Sequence, residues 1–314
     1  MTKNVRRSFT TEDVLAGQPR AVARAISNVE NQTAGYEAFE DELAAHVGTG
    51  WRVGITGPPG AGKSTLVNQL LTRLHETYER IGVVAVDPSS PFSGGALLGD
   101  RVRMDDRNDG TFVRSVATRG ALGGLSRQTE AVADVMDAAG FDPVVVETVG
   151  VGQAELDVAQ AADTVVVVLV PESGDVIQAM KAGLMEIADV FCVNKSDHPD
   201  ADVLVHALHA ALRLRAGAAW TPPVVKTTAT QAGGADALAE AIERHKTFLT
   251  AGTGWAERRA LRYRRKVRRL VEAAWTASFW TAERRHVLDQ ATSGDLNAAL
   301  GPHALAARLV TLGS

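Results

Sequence analysis

The chain has 314 residues, 45% hydrophobic and 22% charged, which is ordinary globular composition with ample apolar material for a core. A formal net charge of −4 excludes a chain-wide polybasic nucleic-acid binder, and 29 glycines and 11 prolines without pattern exclude a collagenous or low-complexity chain. The single cysteine, Cys192, excludes an internal disulfide and a multi-cysteine metal site and fits a reducing, cytoplasmic compartment.

The N-terminal stretch carries charges but no apolar h-region, so no secretory signal is expected. Residues 10 to 48 read as helices. Thr10 to Asp13 offer capping residues, and Ala21, Ala25 and Val29, then Phe39, Leu43 and Val47, recur four apart. From Trp51 the pattern becomes short β-branched runs: Trp51–Thr56, Val83–Asp87, Val144–Glu147, Thr164–Val170, Val190–Asn194 and Val224–Thr227. Helical stretches separate most of them. The runs are apolar without alternation, as strands buried on both faces are, which predicts an α/β fold with a mainly parallel sheet. The longest run, within 164–170, is far too short to span a bilayer.

Pro88 to Val113 is rich in Gly, Ser, Asp and Arg and reads as a long functional loop. The sheet pattern ends near Phe248, and Ala251 to Gly254 reads as a linker. Residues 255 to 290 read as one long amphipathic helix, with apolar positions at Ala260, Tyr263, Val267, Val271, Ala274 and Phe279. These boundaries divide the chain into an N-terminal helical extension (1–48), a central α/β domain (49–250) and a C-terminal helical region (251–314).

The segment Gly57-Pro58-Pro59-Gly60-Ala61-Gly62-Lys63-Ser64 matches G-x-x-x-x-G-K-[ST], between a strand run and a helical run that starts at Thr65. Its glycines let successive amide N–H groups face phosphate oxygens, and the helix N-terminus adds its dipole. Lys63 would reach the β- and γ-phosphates, and the Ser64 hydroxyl would ligate Mg²⁺. Asn194-Lys195-Ser196-Asp197 closes a later strand, where ligands bind in such sheets. A carboxylate at Asp197 can accept from both N1–H and N2–H₂ of guanine, Asn194 can bond the purine, and the Lys195 stem can stack on the ring. Glu147-Thr148-Val149-Gly150 follows another strand and offers an acid for the Mg²⁺ shell and a glycine N–H for the γ-phosphate. Asp87, ending the second run, and Asp100, in the long loop, could each hold a metal-bound water or orient the attacking water. No glutamine or arginine stands out as an in-line catalyst, which predicts slow intrinsic hydrolysis.

Together these stretches resemble the MeaB/ArgK family of P-loop GTPases, bacterial relatives of the human methylmalonic aciduria type A protein. The resemblance rests on residues 15–27, 54–66, 86–104, 117–125, 147–155 and 171–183 and covers nearly the whole chain. It implies a Mg²⁺-dependent GTPase, with GTP and GDP as ligands, that chaperones an adenosylcobalamin-dependent acyl-CoA mutase by gating cofactor delivery and protecting or rescuing the mutase. It also implies that Asp87, Asp100 and Glu147 belong to the Mg²⁺ and hydrolysis shell. Residues 171–183 would form a third switch in which Gln178 and Lys181 contact a partner or the nucleotide. Thr227-Thr228-Ala229-Thr230 stands where the family has Thr-Ser-Ala-Arg. Thr228 keeps the hydroxyl and Ala229 the backbone approach, while Thr230 replaces the arginine. In the guanine motif Ser196 replaces the commoner alanine.

Arg258 to Arg269 holds eight basic residues in twelve. Beside an apolar stripe and an acidic remainder, they read as the solvated face of a helix, not as an RNA or membrane surface. Trp275, Phe279 and Trp280 extend that stripe, and its simplest burial is against the same helix of a second chain, as the resemblance also implies. Two other functions compete with the mutase chaperone: a P-loop kinase passing the γ-phosphate to a small molecule or protein, and an RNA-binding GTPase. No acceptor pocket with a base is recognisable for the first. No metal-ligand spacing is seen among the histidines; His206 and His209 lack a third ligand.

Overall fold

The computed structural model describes residues 8–87, 110–117, 127–148, 154–171, 183–214, 219–293 and 300–312. It divides into two compact units, Met1–Ala256 and Glu257–Ser314.

The first unit is built on seven strands: β1 (Arg52–Thr56), β2 (Ile81–Asp87), β3 (Thr111–Ala117), β4 (Val144–Thr148), β5 (Thr164–Leu169), β6 (Val190–Val193) and β7 (Val224–Lys226). Every pairing is parallel, and the order is β3-β2-β4-β1-β5-β6-β7. Alternate side chains feed two cores. Val144, Val146, Val165 and Val167 face one side, and Val145, Val166 and Val168 face the other. That two-sided burial is why the strands carry valine runs with no polar alternation. β3 begins at Thr111, so the predicted loop ends slightly earlier than Val113, and the Thr111–Ala117 edge strand is an element the sequence pattern did not reveal.

The helices of this unit are α1 (Thr11–Leu15), α2 (Pro19–Glu30), α3 (Tyr36–Leu43), α4 (Lys63–Leu74), α5 (Arg127–Ala138), α6 (Ala154–Ala161), α7 (Leu184–Ile187), α8 (Ala201–Arg213) and α9 (Asp236–Thr250). α4 and α9 cover one face of the sheet; α5, α6 and α8 cover the other. Thr10 and Asp13 form a reciprocal capping box at the start of α1. The amphipathic α2 buries Val22, Ala25, Ile26 and Val29 against α5, and an Arg114–Glu30 ion pair fixes its end to β3.

A buried polar cluster closes the N-terminal edge of the sheet. The guanidinium of Arg52, fully buried, meets Asp134 at 2.6 Å and Asp137 at 3.0 Å. Burial opposes its charge, but Asp134 and Asp137 outweigh that and raise its pKa above the ordinary value. Asp137 also accepts from the backbone N–H groups of Gly48, Thr49 and Gly50 at 2.7 to 3.1 Å, anchoring the chain as it enters β1. Nearby, Trp51 Nε1 donates to the Thr164 hydroxyl at 3.0 Å, which meets His245 Nδ1 at 2.9 Å.

The helix predicted over 255–290 is two. α10 (Gly254–Phe279) ends, and α11 (Ala282–Thr292) restarts after extended Thr281, whose side chain accepts from Arg284 N. Arg284 makes the break: its guanidinium donates to the carbonyls of Phe279, Leu309 and Leu312, so it caps α10 and holds α12 (Pro302–Thr311). The expected linker is short, because α9 runs to Thr250 and α10 starts at Gly254, with Trp255 packed on Trp51. No side chain of α10 is buried; Tyr263 is 66% and Trp275 80% exposed. Among the described residues, no helix is long and apolar enough to cross a membrane.

Candidate functional site

The site forms where β1, β4 and β6 end. After Thr56 the chain turns through Gly57 (φ 142°) and Gly62 (φ 82°) into α4. A Cβ on Gly57 would lie 2.0 Å from the Val168 carbonyl oxygen, and one on Gly62 would lie 2.6 Å from Asn194 Nδ2, so both turns demand glycine. Pro58 is half-buried, Pro59 and Gly60 are exposed, and Ala61 is buried. The Lys63 ammonium lies folded over the loop and donates to the carbonyls of Gly57 at 2.8 Å and Pro58 at 2.9 Å. Thr65 is exposed in the first turn of α4.

Parallel pairing sets Glu147 opposite Ile55, so its carboxylate reaches the first turn of α4. Ser64 Oγ donates to Glu147 Oε1 at 2.6 Å. Behind them the Thr148 hydroxyl donates to Thr56 Oγ1 at 3.0 Å. Asp87 is the last residue of β2, the strand beside β4, so its backbone stands at the same edge of the sheet. Asp100, Gly150, Gln178 and Lys181 lie outside the described residues.

Asn194 leaves β6 as the hub of the second half of the site. Its side-chain N–H donates to the Ala61 carbonyl at 2.8 Å, while Oδ1 accepts from Thr227 Oγ1 and Ala229 N, both at 3.1 Å. Three of its four hydrogen-bonding positions are thus filled among the described residues, and the second N–H is the one that would meet the purine as expected from the sequence. Lys195 takes a left-handed conformation (φ 53°), Asp197 is exposed beside it, and Thr228, Ala229 and Thr230 line the facing loop. The sequence reading gave Thr227 no role of its own, although it opens the segment Thr227-Thr228-Ala229-Thr230 that matches the family's Thr-Ser-Ala-Arg. Its hydroxyl also meets the Cys192 thiol at 3.1 Å, and burial pushes that thiol up to about 12.

The P-loop, the Ser64–Glu147 pair and the Asn194 hub therefore share one edge of a parallel sheet, an arrangement that suits a nucleotide bound across it. Comparison with known proteins agrees. The family model described as Methylmalonyl Co-A mutase-associated GTPase MeaB matches residues 22–284. A Pyrococcus horikoshii relative that carries a GTPase name is 46% identical over 266 residues, covering 83% of this chain and 84% of its own. GTPase ArgK of Escherichia coli K12 is 38% identical over 246 residues, covering 75% and 74%. Among solved structures, a LAO/AO transport system kinase superposes with a TM-score of 0.71 at 26% identity, covering 96% of this chain and 95% of that one. A P-loop GTPase fold, with its phosphate loop and parallel sheet, carries the match along most of the chain, and the protein belongs to the MeaB family of GTPases.

Proposed function

We propose that the protein is a GTP-hydrolysing chaperone of an adenosylcobalamin-dependent acyl-CoA mutase, methylmalonyl-CoA mutase or a close relative, gating cofactor loading and protecting or reactivating that enzyme. The family match over residues 22–284, described as methylmalonyl-CoA mutase-associated, supports this choice of partner. The geometry supports the chemistry. Lys63, now held by two loop carbonyls, exchanges them for phosphate oxygens, while the backbone N–H groups from Gly60 to Thr65 cradle the phosphates, Pro58 and Pro59 having none to offer. Asp197 takes the guanine N1–H and N2–H₂ groups, Lys195 covers the ring, and Thr228, Ala229 and Thr230 close the base from the other side.

The Ser64 hydroxyl bonded to the Glu147 carboxylate offers oxygen donors of the kind that suits Mg²⁺. Ser64, Glu147, Asp87 and Asp100 would hold the ion. When bound it offsets charge on the β- and γ-phosphates. Gly150 is assigned to the γ-phosphate, and Gln178 and Lys181 to the mutase contact.

The C-terminal region is assigned to a homodimer, supported by the exposed stripe Tyr263, Val267, Val271 and Trp275 on a helix with no buried side chain. The protein works in the cytoplasm without nucleic acid or membrane.

GTP turnover measured with and without the purified mutase tests the reading. Stimulation is expected, and Gln178→Ala and Lys181→Ala should weaken it while leaving basal turnover nearly intact. Turnover indifferent to the mutase would refute the chaperone role, and phosphate transfer to an acceptor would replace it with a kinase.

A further inference from the structure

The two segments assigned to guanine are fastened to each other by a pair of hydroxyls. Ser196 Oγ and Thr228 Oγ1 share a hydrogen bond at 3.0 Å, and Ser196 N donates to the Thr227 carbonyl at 3.0 Å. Both side chains are half-buried. The neighbouring Asp197 is exposed, and its carboxylate bonds to nothing among the described residues. Its position therefore follows the backbone of 194–197. That backbone leaves β6 at Asn194 and turns through Lys195 in a left-handed conformation, which a non-glycine residue keeps only where its surroundings hold it. Asn194 secures one side of this turn through Ala61, Thr227 and Ala229. Ser196 secures the other, once by backbone and once by side chain.

We infer that the Ser196–Thr228 hydroxyl pair is a positioning latch that fixes the Asp197 turn against the 228–230 loop before the base arrives and so slows release of guanine nucleotide. This rests on the assignment of Asp197 to guanine. A site whose two walls are already tied together loses less freedom on binding, and the saving appears as slower dissociation. An alanine at position 196 would keep the backbone bond and lose the hydroxyl bond, leaving the Thr228 hydroxyl without its partner. Ser196 bonds to Thr227 and Thr228, on the side of the site assigned to the base, so the latch acts on retention and not on hydrolysis.

The test uses the full chain loaded with a fluorescent GDP, with release followed by stopped-flow. Ser196→Ala should release GDP about five-fold faster, the effect of one neutral hydrogen bond. Single-turnover hydrolysis of preloaded GTP should be unchanged. Ser196→Thr, which keeps a hydroxyl, should restore slow release. An unchanged release rate in Ser196→Ala overturns the latch. Equally fast release in Ser196→Ala and Ser196→Thr overturns the hydroxyl pair as its cause. In parallel, Asp197→Asn is titrated with GDP and XDP. A preference that does not move towards xanthine refutes the guanine assignment, while the release rates of the Ser196 variants still decide the latch.

Discussion

Asn194 Nδ2 donates to the Ala61 carbonyl at 2.8 Å, so the residue that opens the guanine motif is bonded to the middle of the phosphate loop. The same contact explains Gly62, whose missing Cβ makes room for the Asn194 amide. The segments proposed to hold phosphate and base are thereby hydrogen-bonded to each other through Asn194. Asn194→Ala should cost affinity for GDP without changing which base is preferred, because it loosens the frame while Asp197 stays. The loss should be on the order of tenfold or more, since the Ala61 carbonyl and Ala229 N–H lose their partner. Calorimetric titration with GDP and ADP checks both parts.

Base choice should reside in Asp197. GDP should bind at least about tenfold tighter than ADP, because adenine leaves the carboxylate facing no donor. Asp197→Asn should turn that preference towards xanthine nucleotides. Equal binding of GDP and ADP by the native protein would remove guanine recognition from this loop.

Lys63 and Glu147 should separate binding from turnover. Lys63→Ala should lower turnover by about 100-fold or more, the effect of losing one charged phosphate contact. Glu147→Ala should lower Mg²⁺-dependent turnover strongly and change GDP affinity little, since its contribution peaks at the transition state. Rates from phosphate release and affinities from titration give the two numbers. Full turnover in Glu147→Ala would put the metal elsewhere.

Stability should depend on Arg52. Arg52→Met removes the buried cation that meets Asp134 and Asp137, and breaking such a buried pair costs about 3–5 kcal/mol. Urea unfolding should show a lower midpoint with an unchanged slope. A loss below about 1 kcal/mol would mean that water or a neighbouring group compensates the two acids.

The thiol of Cys192 should be inert in the folded protein. Its pKa is pushed from 9.0 to about 12, first by burial, with the Thr227 bond opposing weakly. The folded form thus keeps a proton that the unfolded form releases. The stability this gives is complete below pH 9 and is lost as the pH climbs from 9 towards 12. A thiol reagent at pH 8 should find no reactive group until denaturant is added, and then one. Rapid labelling of the native protein would contradict this.

Dimer formation should respond to α10. Val271→Asp with Trp275→Asp should give monomers by light scattering, because each large apolar side chain taken from water contributes about 1.5–3 kcal/mol. A chain ending at Ala256 should also be monomeric, and it keeps Trp255 on Trp51. Dimers in both would move the interface off this helix.

Much of the scaffold was legible because its causes are local in sequence. Valine runs mark strands buried on both faces, and the glycines of the phosphate loop sit where backbone geometry demands them. What escaped depends on partners supplied from far along the chain. Arg52 lies within the predicted strand run 51–56, and its partners Asp134 and Asp137 are 82 and 85 residues further on, brought to it by α5. Asn194 reads only as a purine ligand, and its bonds to Ala61 and Thr227 come into view once the sheet places those residues around it. The break after Phe279 was hidden because Ala282 to Ala291 continue a helical pattern, and only Arg284 with the carbonyls of Leu309 and Leu312 makes the stop there worthwhile.

The pairing of β1 has a consequence for how the protein is made. This central strand bonds to β4 and β5 alone, with Arg52 set against Val144 and Val53 against Thr164. Neither neighbour exists when β1 leaves the ribosome, and closing such distant contacts is slow. The phosphate loop that β1 carries therefore takes shape only after residue 169 has emerged, so nucleotide has nothing to grip during roughly the first half of synthesis. GTP added to a translating ribosome should protect chains stalled beyond β6 and β7 from protease, and leave chains stalled before β4 as sensitive as without it.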